Sequence, residues 1–157
     1  MGGLIMPDST QAAEAAFDAY FAGRARFFLP RELRCLGASN ALGGRAAGLN
    51  RLPPEALWPN ILPTLDAADA IRDLFGAPLR VLSAYRSAAY NRKVGGAKDS
   101  YHLRYMALDL APVSAKPSEV ARLYGCAVIL RNKGLLRGGL GRYSWGIHID
   151  CGPSREW

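Results

Sequence analysis

Two stretches decide how this chain folds: Met106-Ala-Leu-Asp-Leu-Ala111 and Gly146-Ile-His-Ile-Asp-Cys151. Both alternate between apolar and polar or small residues, and a strand sends successive side chains to opposite faces. In the first, Met106, Leu108 and Leu110 share one face, leaving Asp109 on the other with the small Ala107 and Ala111. In the second, Ile147 and Ile149 share a face, and His148 and Asp150 take the opposite one. Each stretch therefore predicts a strand with one face for a core and one for chemistry. If the two strands are neighbours, Asp109, His148 and the nearby His102 meet at one point.

Working outward, residues 10–22 read as a helix that Thr10 can cap, with Ala13, Phe17, Tyr20 and Phe21 at helical spacing. Residues 27–63 are rich in Pro and Gly and predict irregular connections with short helical pieces near Pro30–Cys35 and Pro53–Leu57. Thr64 opens a further helix with Leu65, Ala68, Ile71 and Phe75 on one side and Gly76 as its stop. Leu79–Arg86 reads as a strand after Pro78, and Pro117 starts a helix running toward Asn132. Helices and strands without regular βαβ spacing predict an α+β fold, a small central antiparallel sheet flanked by helices. The chain is expected to form a single domain over residues 1–157, its first 26 residues contributing an N-terminal helix.

With 157 residues, half of them apolar, the chain is long enough to build a core without disulfides. No apolar run reaches the 18 residues of a membrane span, so no membrane insertion is expected. The start, Met1-Gly-Gly-Leu-Ile-Met-Pro-Asp8, does not read as a secretory leader. A formal net charge of +7 favours an anionic partner. Nucleic acid is not expected, because the Lys and Arg residues are scattered and no basic helix or stacking platform is legible. Cys35, Cys126 and Cys151 are an odd count at spacings of 91 and 25, which predicts ordinary thiols and no disulfide or zinc-finger framework.

Chemistry concentrates around the only two histidines. Two imidazoles and a carboxylate, His102, His148 and Asp109, suit a catalytic zinc with a fourth position left for water. The spacing of seven between His102 and Asp109 also occurs by chance, so ordinary structural histidines remain an alternative on spacing alone.

At these residues the sequence resembles a known family. Ser100-Tyr-His102-Leu-Arg-Tyr105-Met-Ala107-Leu-Asp109 resembles the Ser-x-His-x-x-Gly-x-Ala-x-Asp signature of zinc D-alanyl-D-alanine carboxypeptidases and L-alanyl-D-glutamate endopeptidases, departing only at Tyr105. The similarity continues through Ser83-Ala-Tyr-Arg86, Asn91-Arg-Lys-Val-Gly-Gly96, Gly139-Leu-Gly141-Arg-Tyr143, Gly146-Ile-His148-Ile-Asp150 and Arg155-Glu-Trp157, and covers roughly residues 27–157. It implies the fold these peptidases share with the hedgehog signalling domain, one zinc ion held by His102, Asp109 and His148, and Arg86 as the arginine that contacts substrate. Relatives often place an acid three residues before the last histidine, where this chain has Trp145. Asp150 is then the carboxylate left for catalysis: it is expected to accept a proton, to orient His148, or to bind the metal itself. Tyr143 is a lesser candidate as a donor to the transition state, and Ser100 is expected to cap the turn before His102.

The expected function is a zinc peptidase acting on bacterial peptidoglycan peptides, as a monomer, either as a phage or prophage lysis or virion protein or in the periplasm after loss of a leader. The alternative is a non-catalytic zinc-containing binding module of the same fold, for which Tyr105 and Trp145 speak.

Overall fold

The computed structural model describes residues 9–157. Its sheet orders five strands β1-β2-β4-β3-β5, where β1 is Leu79–Ser83, β2 Ala107–Pro112, β3 Gly139–Tyr143, β4 Gly146–Asp150 and β5 Arg155–Glu156. The first four pair antiparallel, as the sequence predicts, whereas the two-residue β5 runs parallel to β3. The two deciding strands are direct neighbours, with Asp109 opposite His148 and Ala107 opposite Asp150.

The helices are α1 (Ser9–Phe21), α2 (Pro30–Leu33), α3 (Leu62–Phe75), α4 (Ala88–Val94) and α5 (Pro117–Asn132). Short 3-10 segments lie at Ala38–Asn40, Glu55–Ile61 and Tyr101–Arg104. Helices α3 and α5 pack together and against β2 and β4. Leu108, Leu110, Ile147, Ile149 and Leu140 are fully buried with Leu65, Ile71 and Leu123 from these helices, and Phe17 and Phe21 of α1 join the same cluster. Removing this apolar surface from water is the main force holding the fold.

Several boundaries differ from the sequence reading: α1 already includes Ser9, so Thr10 lies inside the helix and does not cap it, and the second short helical piece is Glu55–Ile61. Helix α3 opens two residues before Thr64, because Pro63 sits in its first turn, where no amide partner is needed and the fixed φ already suits a helix. Strand β1 stops at Ser83 instead of Arg86, and its pairing with β2 is irregular between Val81 and Ser83. That bulge sets Ser83 opposite Asp109, and the following residues turn away to grip His102. The strand β3 follows from pairing rather than periodicity, since its Gly-Leu-Gly start shows little strand preference.

Candidate metal centre

The sheet register builds a row across four strands: Ser83, Asp109, His148 and Gly141 lie opposite one another in turn and so project to the same face. His102 reaches this row from the 3-10 turn, where Ser100 caps the start by accepting the His102 amide at 3.3 Å. The turn closes at Tyr105 in the left-handed conformation (φ +54), the only non-glycine with positive φ among the described residues. A glycine would adopt this φ freely, and a side chain there costs about 1–2 kcal/mol. Tyr105 has a compensating role: its fully buried ring packs at 6.2–6.4 Å from Phe17, Phe21 and Tyr85. The ring thus faces the core and does not narrow the cleft.

Three ligand atoms converge. His102 Nε2 lies 3.1 Å from Asp109 Oδ1 and 3.2 Å from His148 Nδ1, and His148 Nδ1 lies 2.9 Å from the same Asp109 oxygen. The far nitrogens fix the tautomers. His102 Nδ1 is 2.6 Å from the Ala84 carbonyl, which only accepts, so the proton sits there. His148 Nε2 is 2.9 Å from Asp150 Oδ2, a carboxylate paired with Arg155, so its proton sits on that side. With those protons outside, what faces the common point is two imidazole lone pairs and a carboxylate oxygen, all buried: three acceptors for one cation, a metal ion or, without one, a proton that His148 shares with Asp109. Tetrahedral ligands about 2.0–2.1 Å from zinc stand roughly 3.3 Å apart. The separations of 2.9–3.2 Å are close to that, and the donor set fits zinc.

Burial pushes the His102 imidazole below its usual pKa and keeps it neutral, with the nearby Asp109 opposing only in part. Burial acts the same way on His148, but hydrogen bonds and charge from Asp109 and Asp150 outweigh it and raise that pKa. Burial alone would raise both carboxyls. His102 and His148 hold Asp109 well below the usual range. Hydrogen bonds from His148, Arg155 and the amides of Gly152 and Gly139 do the same for Asp150.

The three candidate ligands, Arg86 and Asp150 are linked in one network. Arg86 donates from Nη2 to Asp109 Oδ2 at 2.6 Å and from Nε to Ser83 Oγ at 2.8 Å, with 18% of its side chain exposed. Asp150 lies outside the converging trio. Its Oδ2 accepts from His148 and from Arg155 Nη2 (2.7 Å), and its Oδ1 from the amides of Gly139 and Gly152 and from Arg155 Nη1. Trp145, standing where relatives place an acid, is 37% exposed and stacks on Tyr143 at 4.7 Å.

The sequence reading assigned no role to Gly139, Gly141, Arg155 or Trp157. Cβ atoms on Gly139 and Gly141 would lie 2.4 Å from Asp150 Oδ2 and 2.7 Å from the Trp157 ring. These alternate glycines make room on the site face, and Leu140 between them joins the core. Trp157 then sits 5.3 Å from the His148 ring and donates from Nε1 to the Tyr143 hydroxyl. Two glycines two apart in a strand are the available signal for such close approach.

A groove of about 520 Å³, lined by Lys98, Asp99, Tyr101, Tyr143, Arg155 and Trp157 among others, reaches the centre only through Arg155, which touches Asp150, and Trp157, which approaches His148. A larger cavity of about 640 Å³ meets the centre only at Asp150 and is mainly apolar. The three cysteines are free thiols.

The fold and site define a protein class: an α+β domain with a buried two-histidine, one-carboxylate centre able to hold a single metal ion. The family model described as Peptidase M15 matches residues 31–150, and the chain belongs to that family of zinc-dependent peptidases. No curated protein matches it. Family and centre together support a metallopeptidase.

Proposed function

We propose that this chain hydrolyses peptide bonds in bacterial peptidoglycan, in the stem peptide or the cross-link. The observation that carries the reading is the converging lone-pair trio beside a groove bordered by Lys98, Arg155 and aromatic rings. Wall peptides bear carboxylates, and the formal charge of +7 favours their approach. His102, Asp109 and His148 would hold the ion. Zinc in such a setting lowers the pKa of a bound water from ~15.7 to ~7 and polarises a substrate carbonyl.

The protein's own groups supply the rest. Arg86, already beside Asp109, would meet a substrate carboxylate or the oxyanion that develops during hydrolysis. Asp150 we assign to orienting His148 rather than to accepting a proton, because both its oxygens already take hydrogen bonds. We place the action at the cell wall, delivered by a phage or prophage or from the periplasm.

One observation favours a second reading, a zinc-holding binding module: the acid of relatives is replaced by Trp145, stacked outward on Tyr143. Mass spectrometry of purified peptidoglycan incubated with the protein, with and without chelator, separates the two. Chelator-sensitive release of D-alanine, shortened stems or uncross-linked muropeptides is expected and would name the bond. No change on any wall chemotype, from a sample carrying one zinc, would leave the binding module.

A further inference from the structure

Asp150 accepts from His148 Nε2 at 2.9 Å, the contact that holds the ring in the tautomer argued above. Its side chain is fully buried, and an ionised carboxylate there requires a compensating cation. Arg155 provides it with a two-pronged contact, Nη1 to Oδ1 at 3.1 Å and Nη2 to Oδ2 at 2.7 Å. The guanidinium is itself held in place. It donates to the Pro153 carbonyl at 3.1 Å and lies over the rings of Tyr101 (4.7 Å) and Trp157 (5.0 Å).

The backbone is shaped for this contact. Strand β5 pairs Arg155 beside Gly139, and a Cβ on Gly139 would lie 2.9 Å from Arg155 Nη1 and 2.4 Å from Asp150 Oδ2. The absent side chain of Gly139 is thus the space that the ion pair occupies.

We propose that Arg155 is a positioning residue for the metal centre. Through Asp150 it fixes the His148 ring and its tautomer, so that Nδ1 presents its lone pair to the ion. The inference concerns metal binding and stands whatever substrate the enzyme takes.

The test measures zinc affinity of the full chain by chelator competition, together with thermal unfolding of the metal-free protein. Arg155→Gln is expected to weaken zinc about 10–100-fold, the usual cost of losing a group that orients a ligand. Asp150→Asn should do the same, and the double variant should be no weaker than Asp150→Asn alone. The Co2+-loaded variant should keep the absorption of the parent ligand set, since no ligand is removed. A merely structural ion pair would lower the unfolding temperature and leave zinc affinity unchanged, which would overturn the proposal. Strictly additive losses in the double variant would overturn it too. Should Arg155→Gln fail to fold, Arg155→Lys keeps the charge without the planar fork and should show an intermediate loss of affinity. Parent-like affinity in that variant would be equally fatal.

Discussion

His102 and His148 are the same side chain facing the same point, yet the parts of the molecule behind them differ. His102 is held by backbone and core. The Ala84 carbonyl takes its ring proton, the Arg86 amide donates to its carbonyl at 3.1 Å, and its turn ends on the buried Tyr105 ring. His148 is held by charge, through Asp150 and then Arg155, in space left by Gly139. A backbone carbonyl cannot be deleted by substitution, whereas a carboxylate–arginine pair can. The two arms should therefore respond unequally to mutation everywhere except at the ligands themselves.

At the ligands the arms should be equal. His102→Ala and His148→Ala should each abolish stoichiometric zinc after dialysis, read by elemental analysis, because two ligands cannot keep the ion. A variant that still carried one zinc per chain would remove its histidine from the ligand set.

The next effect separates the arms by stability. Tyr105→Gly relieves the left-handed strain but empties a buried aromatic site, so a net loss of roughly 2–4 kcal/mol is expected in denaturant unfolding. Folded Tyr105→Gly protein should still bind zinc. A gain in stability would mean that the ring contributes less to the core than its strain costs.

Asp150→Ala is the counterpart on the other arm: zinc affinity should fall about 10–100-fold in chelator competition. Unchanged affinity would erase the distinction between the arms. Smallest is Ser100→Ala, which removes a long 3.3 Å cap contact from the His102 turn. It should cost about 0.5–1 kcal/mol of stability in thermal unfolding. Zinc affinity should stay near the parent's, and a loss as large as that of Asp150→Ala would show His102 to be as dependent on side chains as His148.

The same contrast explains what could be read from the chain. The alternation in 106–111 and 146–151 placed Asp109, His148 and Asp150 on one face, because a period of two leaves no other arrangement once Leu108 and Ile149 are buried. His102 stood out as one of only two histidines and the resemblance strengthened it as a ligand, while Arg86 came from the resemblance alone. Arg155 was illegible as a partner: it sits in a two-residue strand whose parallel pairing with β3 has no periodic signal. Trp157 has no legible role in the sequence, since its approach to His148 depends on the missing side chain of Gly141. Tyr105 stood out as a departure from the family's glycine, but its direction could not be read from its identity. Only the cluster of Phe17, Phe21 and Tyr85 shows that the ring points inward.

Local patterns in the chain were enough for the mixed fold with an antiparallel sheet, the two faces of each deciding strand and the residues able to bind metal, because burial and side-chain period are local properties. Long-range contacts set the pairing of those two strands, which nitrogen of each histidine faces Asp109 and why Asp150 is occupied. They also set where Tyr105 and Trp157 lie. Those depend on contacts between residues distant in sequence, Ala84 with His102 and Gly139 with Asp150 and Arg155, which no local pattern encodes.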